Sequence, residues 1–120
     1  METNRFFALP IELAGISLQG YLTASFDELK SVFGEPNSPG DDYKVSTEWE
    51  IKGIDSGAEL TIYDWKETVL YDSHELTVED FRKLPSYEWH VGGNSKGGIF
   101  ELTKFLGDKL GRSVTFRYTY

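Results

Sequence analysis

Alternating hydrophobic and polar positions predict most of the strands in this chain. The segments with this pattern, or with the composition of a strand, are residues 16–23, 45–52, 59–66, 86–91 and 114–120. In the second segment Trp49 and Ile51 fall on one side, and Glu48 and Glu50 fall on the other. These segments predict a sheet that buries one of its faces.

A helical period predicts a first main helix at residues 26–33. Ser25 and Glu28 stand at the spacing of a capping box, in which each side chain accepts a hydrogen bond from the other residue's backbone N–H. Gly34 follows the last apolar position and is expected to end the helix.

A second main helix is predicted at residues 96–110, with Gly111 as its C-cap. Its apolar stripe consists of Ile99, Leu102, Phe105, Leu106 and Leu110. A shorter helix is expected at residues 78–84, where Thr77 is a suitable N-cap and Pro85 prevents continuation.

The hairpin between the two central strands has two plausible registers. A two-residue loop at residues 55–56 places Trp49 opposite Ile62, whereas a three-residue loop places Trp49 opposite Tyr63. A shift of one residue exchanges the two faces of a strand. We favour the two-residue loop because it gathers the aliphatic side chains on the core side and leaves Tyr63 and Trp65 available for contacts.

The order β-α-β-β-(α)-β-α-β predicts a single α+β domain over residues 1–120, with an antiparallel sheet and the two main helices packed on one face. The 120 residues and a hydrophobic content of 39% are sufficient for a core. The chain has no pattern of a secretion signal and no apolar run long enough to span a bilayer, so we expect a soluble, cytoplasmic protein.

Charge is distributed unevenly along the chain. The formal net charge is −8, with twenty acidic and twelve basic residues. Residues 27–88 contribute a net −10, and residues 89–120 contribute +3. This balance disfavours direct binding to nucleic acid or to an anionic membrane, and it suits a basic protein partner. Since there is no cysteine, thiolate metal sites and cysteine nucleophiles are excluded.

The first candidate site is an acidic and aromatic surface on the two central strands. Carboxylates on adjacent strands form a negative patch, and aromatic side chains outside the core serve as anchors for a protein partner. The candidate partner-binding residues are Glu48, Glu50, Glu59, Tyr63, Asp64 and Trp65.

The second candidate site is the glycine-rich segment before the last helix. Glycines and a helix N-terminus can present backbone N–H groups to an anion such as a nucleotide phosphate, and a tryptophan can stack on a base. The candidate ligand-binding residues are Trp89, His90, Gly92, Gly93, Asn94, Ser95 and Lys96. The spacing is not that of a Walker A loop, and a strand-to-helix turn with Asn94 or Ser95 as N-cap explains the segment fully without a ligand.

The histidines do not indicate catalysis. His74 and His90 show neither a zinc-binding spacing nor the arrangement of a catalytic triad. We therefore predict no catalytic residue, no metal and no cofactor, and a small enzyme is the weakest of the functional hypotheses.

Four short patterns along the chain are typical of one family. They are FGEP at 33–36, KV and EW at 44–49, TIYDWK at 61–66 and WHVGGNS at 89–95. Through them the chain resembles, over residues 16–110, a family of small, mostly uncharacterised proteins of bacteriophages and prophages. The resemblance carries over no catalytic residue.

The resemblance implies a phage context, in which small acidic proteins often inhibit host defence. Anti-CRISPR proteins bind effector complexes, and sponges sequester signalling nucleotides. Our first hypothesis is therefore a non-enzymatic inhibitor that binds a basic surface of a host defence protein in the host cytoplasm. The alternative is a sponge that holds a signalling nucleotide at the glycine segment, and a homodimer is compatible with either.

Overall fold

The computed structural model describes residues 5–11, 15–38, 47–54, 57–64, 77–94 and 97–119, and within them six strands and three helices. In chain order these are β1 (Phe6–Ala8), β2 (Ser17–Ala24), α1 (Phe26–Phe33), β3 (Glu48–Gly53), β4 (Glu59–Tyr63), α2 (Val78–Arg82), β5 (Tyr87–Gly93), α3 (Gly97–Leu110) and β6 (Phe116–Tyr118). Every predicted element is present, and β1 is an addition to the predicted order.

The six strands form one antiparallel sheet in the order β1-β3-β4-β5-β2-β6. The three helices contribute buried side chains, such as Leu29, Phe81 and Leu102, to the same core as the inward-facing strand residues. All three helices therefore pack on one face of the sheet. The predicted fold class is confirmed.

The β3–β4 pair adopts the register of the two-residue loop. Trp49 lies opposite Ile62 and Ile51 lies opposite Leu60, and all four side chains are fully buried. Tyr63 consequently faces away from the helices. The loop residues at 55–56, like Trp65, lie outside the described residues.

Two buried tryptophans connect the sheet to both ends of α1. The indole rings of Trp49 and Trp89 meet edge to face with their centroids 5.6 Å apart. The Trp89 Nε1–H donates to the carbonyl of Ala24, just before the helix, and the Trp49 Nε1–H donates to the carbonyl of Gly34, just after it, both at 2.9 Å. These bonds satisfy the two buried donors and fix α1 against the sheet.

The helix ends agree with the sequence at most positions. The Ser25–Glu28 capping box is formed, and Thr77 caps α2 through a bond from the backbone N–H of Asp80. Gly111 follows α3 with a φ of 68°, a value that glycine adopts without strain. α2 ends at Arg82 rather than at residue 84. α3 is described from Gly97, so the predicted start at Lys96 is outside the described residues.

We expect the substitution Glu28→Gln to lower the free energy of unfolding at pH 7 by about 1 kcal/mol. Arg112 holds the Glu28 carboxylate through Nε and Nη2, both at 2.7 Å, and the Ser25 N–H donates to it. The hydrogen bonds from Arg112 are the main reason that the pKa of Glu28 falls to about 2. Because the folded-state pKa is lower than the ordinary 4.5, the stabilisation is present above pH 4.5 and is lost as the pH falls toward 2.

Urea unfolding at pH 7 and at a series of lower pH values measures this loss. Glu79→Gln is the matched control, since its pair with Lys83 is much more exposed and should change stability by less than about 0.5 kcal/mol. If the two variants lose the same stability at pH 7, or if the loss at Glu28 persists at pH 2.5, the Arg112 interaction does not contribute as described.

Candidate functional site

The sheet face opposite the helices, here called the open face, carries five side chains in direct register across five strands. Successive pairs of the antiparallel ladders bring together Arg117 on β6, Tyr21 on β2, His90 on β5, Tyr63 on β4 and Glu48 on β3. Directly opposed side chains of neighbouring strands are in contact range. We call these five residues the open-face row.

Ring contacts order the middle of the open-face row. The Arg117 guanidinium lies 4.0 Å from the ring centroid of Tyr21. The Tyr21 and His90 rings meet edge to face at 5.0 Å, and His90 stacks on Tyr63 at 5.4 Å. Glu88, also on this face, accepts two hydrogen bonds from Arg117, at 2.7 and 2.9 Å. The result is an aromatic platform whose side chains are held in place before any partner binds.

The centre of this platform is uncharged at neutral pH. Burial lowers the pKa of His90 below its usual value, although the nearby Glu88 carboxylate acts in the opposite direction. Burial also raises the pKa of the Tyr63 phenol, with a further contribution from the Glu48 charge. A protonated phenol provides a hydrogen-bond donor and an acceptor, whereas the Nδ1 atom of His90 is buried, so the imidazole offers a partner only its other ring nitrogen. The platform can therefore bind both apolar and polar groups of a partner.

Besides Glu48 of the open-face row, two further glutamates lie on the same face as the platform. Glu48 accepts a hydrogen bond from the Ser38 hydroxyl at 2.6 Å. Glu50 accepts one from the Ile11 N–H at 3.1 Å. Glu59 lies opposite Lys52 in the β3–β4 ladder. The structure thus brings Glu48, Glu50, Glu59 and Tyr63 together on one face, as the alternation pattern indicated.

The prediction that Asp64 belongs to the acidic surface patch is wrong. Its side chain is fully buried, and its Oδ1 accepts the Thr47 N–H at 2.8 Å while its own N–H donates to the Thr47 carbonyl at 3.2 Å. This reciprocal pair closes the end of the β3–β4 ladder. Asp64 therefore has a structural role and does not reach the surface, because it continues the inward-facing side of β4.

The prediction that Trp89 belongs to a ligand site is wrong. Its side chain is 1% exposed and packs against Trp49, Phe81 and Tyr87. The alternation of β5 places it on the helix side, with His90 on the open face. Trp89 thus cannot present its ring to a base at the surface.

The predicted turn at the glycine segment is also wrong at its first two residues, which lie in a strand. Gly92 and Gly93 belong to β5, and a Cβ at Gly93 would lie 2.5 Å from a methyl of Leu60. Asn94 is held by its own N–H, which donates to the Glu59 carbonyl at 3.3 Å. Contacts with neighbouring strands therefore explain the positions of these three residues without a ligand. Ser95 and Lys96 lie outside the described residues.

Sequence reasoning missed Tyr21, Glu88 and Arg117 as members of the site. Tyr21 alternates out of phase with the buried residues of β2, and Arg117 alternates with the aromatic residues Phe116 and Tyr118 of β6, so a signal was present in each strand. What brings these residues beside His90 is the position of β2 between β5 and β6. That order depends on pairing between distant segments, which the local pattern does not specify.

Two other features are absent from the described residues. No group of three or more His, Asp or Glu side chains there could hold a metal ion. No helix among them is long and apolar enough to cross a membrane.

The structure defines a class of protein: an α+β fold with a six-stranded antiparallel sheet, helices on one face, and an ordered acidic and aromatic row on the other. Comparison of the chain with family models, with curated proteins and with solved structures found no match. The resemblance to phage proteins therefore stays a prediction that rests on the sequence patterns alone.

Proposed function

We propose that this protein functions by binding another protein rather than by catalysis, and that the open face is the surface that contacts a basic region of the partner. The observation that carries the proposal is the cross-strand register, which groups aromatic side chains with carboxylates on one face. Among the described strand residues, the carboxylates on this face are Glu48, Glu50, Glu59 and Glu88, and the cations are Lys52 and Arg117.

The open-face row has the properties of an interface centre. Tyrosine provides a large contact area and a hydroxyl group on a side chain with few rotatable bonds. Tyr21, His90 and Tyr63 already contact one another, so little side-chain entropy remains to be lost when a partner binds. Aromatic residues of this kind dominate the energetics of many interfaces.

The surrounding glutamates supply electrostatic selectivity. Glu48 and Glu50 are held by hydrogen bonds from Ser38 and Ile11, so their charges occupy defined positions. Complementary charge increases the rate of encounter with a basic surface and disfavours acidic partners. The face is therefore suited to a protein whose own function depends on a basic groove.

The phage resemblance gives this proposal its specific form. A basic groove is the part of a nucleic-acid-binding defence effector that an acidic phage protein would occupy. We infer that the protein inhibits such a host effector in the host cytoplasm, in the manner of anti-CRISPR proteins, by covering that groove.

The nucleotide-sponge alternative has less support from the structure than from the sequence. Its stacking residue, Trp89, is in the core, and the Asn94 N–H is bonded to Glu59. The open-face row, by contrast, retains its aromatic and acidic side chains at the surface of the sheet. Protein binding is for these reasons the function that the geometry favours.

The test compares two triple variants with the same change in net charge. The open-face triple is Glu48→Gln, Glu50→Gln, Glu59→Gln, in which each glutamine keeps an oxygen that accepts the local hydrogen bonds. The control triple is Asp27→Asn, Glu35→Gln, Glu79→Gln, at exposed positions on and beside α1 and α2. Because each interfacial charge contributes up to about 1 kcal/mol, we expect the open-face triple to bind the partner about tenfold more weakly or worse.

Affinity capture from bacterial lysate, followed by titration of the purified partner, measures this difference. Wild type and the control triple should recover the same protein with similar affinity and a similar dependence on salt. The open-face triple should show both a lower affinity and a weaker salt dependence. Equal binding and equal salt dependence of the two triples would show that the contact lies elsewhere.

A further inference from the structure

We propose a second binding site, in the groove between α3 and the edge strand β6, that takes an extended peptide segment of a partner protein carrying an acidic side chain. The peptide adds to β6 as a further antiparallel or parallel strand and directs alternate side chains into the groove. This site is separate from the open face and does not depend on the function proposed for it.

The backbone of β6 is arranged to accept another strand. On its inner side the Thr115 carbonyl accepts the Thr23 N–H at 2.9 Å, and the Thr119 N–H donates to the Gln19 carbonyl at 3.0 Å. In an antiparallel ladder the direction of the backbone groups alternates along the strand. The N–H and C=O groups of Phe116 and Tyr118 therefore point away from β2. Within the described part of the chain, β6 pairs on one side only.

A groove lies directly beside this edge, on the helix side of the sheet. It has a volume of about 410 Å³, and its walls include Phe100, Lys104 and Gly107 of α3, Val114, and Phe116 of β6. The three α3 residues stand at spacings of four and three, so they share one face of the helix.

The register sends peptide side chains into this groove. Phe116 and Tyr118 direct their side chains to the helix side of the sheet, as do their β2 partners Leu22 and Gly20. A peptide residue hydrogen-bonded opposite Phe116 or Tyr118 would point the same way, because paired residues share a face. Phe100 is 47% exposed and provides apolar surface for such a side chain. Main-chain pairing with pockets for alternate side chains is a recurrent mode of peptide recognition.

The charge of the groove selects an acidic side chain. The Lys104 ammonium lies 5.2 Å from the Phe100 ring centroid, and it forms no ion pair with any carboxylate among the described residues. Arg112, the other cation of the groove, is already engaged by Glu28 through two hydrogen bonds. Asp108 lines the groove one turn further along α3. An acidic side chain is therefore favoured at the Lys104 end of the groove and disfavoured at the Asp108 end, which sets the position of that side chain along the bound peptide.

The test uses short random peptides displayed on yeast and selected against the whole protein. We expect the selected sequences to alternate apolar residues and to carry Asp or Glu at one preferred position. A selected peptide should bind Tyr118→Pro about tenfold more weakly or worse, because proline removes the outward N–H of the edge. It should bind Tyr118→Ala within about threefold of wild type, since alanine keeps that donor.

A charge exchange tests the acidic specificity independently of the proline variant. Lys104→Glu should weaken binding of the selected peptide, and replacing the acidic residue of that peptide by lysine should restore it. This result stands even if Tyr118→Pro fails to fold, which circular dichroism would show.

Three results would overturn the proposal. One is a selection that enriches no alternating acidic pattern. Another is equal weakening by a folded Tyr118→Pro variant and by Tyr118→Ala, which would indicate a side-chain contact rather than strand addition. The third is a dimer of the free protein in sedimentation equilibrium that Tyr118→Pro dissociates, which would assign the edge to a second copy of this chain.

Discussion

Replacing Trp89 by alanine is expected to lower the free energy of unfolding by about 3 to 5 kcal/mol. The indole is fully enclosed, and its ring packs edge to face against Trp49, Phe81 and Tyr87. The substitution also removes the buried hydrogen bond from the Trp89 Nε1–H to the Ala24 carbonyl, just before α1. The cavity and the lost hydrogen bond act together, so this is one of the two largest effects that we expect.

Urea unfolding followed by far-UV circular dichroism measures the loss without relying on tryptophan fluorescence. His90→Ala is the matched control, because His90 is the next residue of β5 and lies on the opposite face. Its cross-strand contacts with Tyr21 and Tyr63 are worth about 1 kcal/mol each or less. If Trp89→Ala costs no more than His90→Ala, then Trp89 is not a core residue and the sequence-based stacking hypothesis regains its support.

Replacing Gly20 by alanine is the second large expected effect, a loss of about 2 to 3 kcal/mol. A Cβ at this position would clash with the carbonyl oxygen of Arg117 and would lie 2.9 Å from a methyl of Ile99. The first of these is a backbone atom of β6, so relief of the clash requires β6 to move away from β2. The loss of pairing between these strands is the physical reason for the size of the effect.

Equilibrium unfolding measures the loss at Gly20, and amide hydrogen exchange shows where it arises. The Thr119 N–H, which bonds to the Gln19 carbonyl, should exchange faster in Gly20→Ala than in wild type. Gly93→Ala is the control, since its closest obstacle is a methyl of the Leu60 side chain, which can rotate. Equal losses at the two glycines, with unchanged exchange at Thr119, would contradict the account of the β2–β6 contact.

Local signals in the sequence were sufficient for much of this fold. The Ser25–Glu28 capping box and Gly34 delimit α1 because helix ends depend on hydrogen bonds between residues close in sequence. The hairpin register followed from collecting Trp49 and Ile62 on the same side. In both cases the interactions that determine the structure join residues close in sequence, within one helix or one hairpin.

Features that depend on distant segments were not predicted. β1 is three residues long, too short for its alternation to be distinguished from a loop. Gly92 and Gly93 suggest a turn by composition, yet they are strand residues that pair with Thr61 and Leu60 of β4, whose side chains lie beside them. Asp64 was placed on the surface by its charge, whereas its reciprocal bonds with Thr47 keep it inside.

Only part of the candidate site could be predicted from the sequence. Glu48, Glu50, Glu59 and Tyr63 lie on two consecutive strands, so alternation alone placed them on one face. Tyr21 and Arg117 join them only through the strand order β4-β5-β2-β6. The open-face row is therefore a property of the tertiary structure, and each strand alone shows only one member of it.

Oxidative footprinting of the protein in complex with its captured partner tests the central claim most directly. Hydroxyl radicals modify exposed aromatic side chains, so the reactivities of Tyr21 and Tyr63 report on the open face. We expect both tyrosines to become protected in the complex, while Phe7, at the far edge of the same face, changes less. Unchanged reactivity of Tyr21 and Tyr63 in a complex that is fully formed would contradict the assignment of the open face as the docking surface.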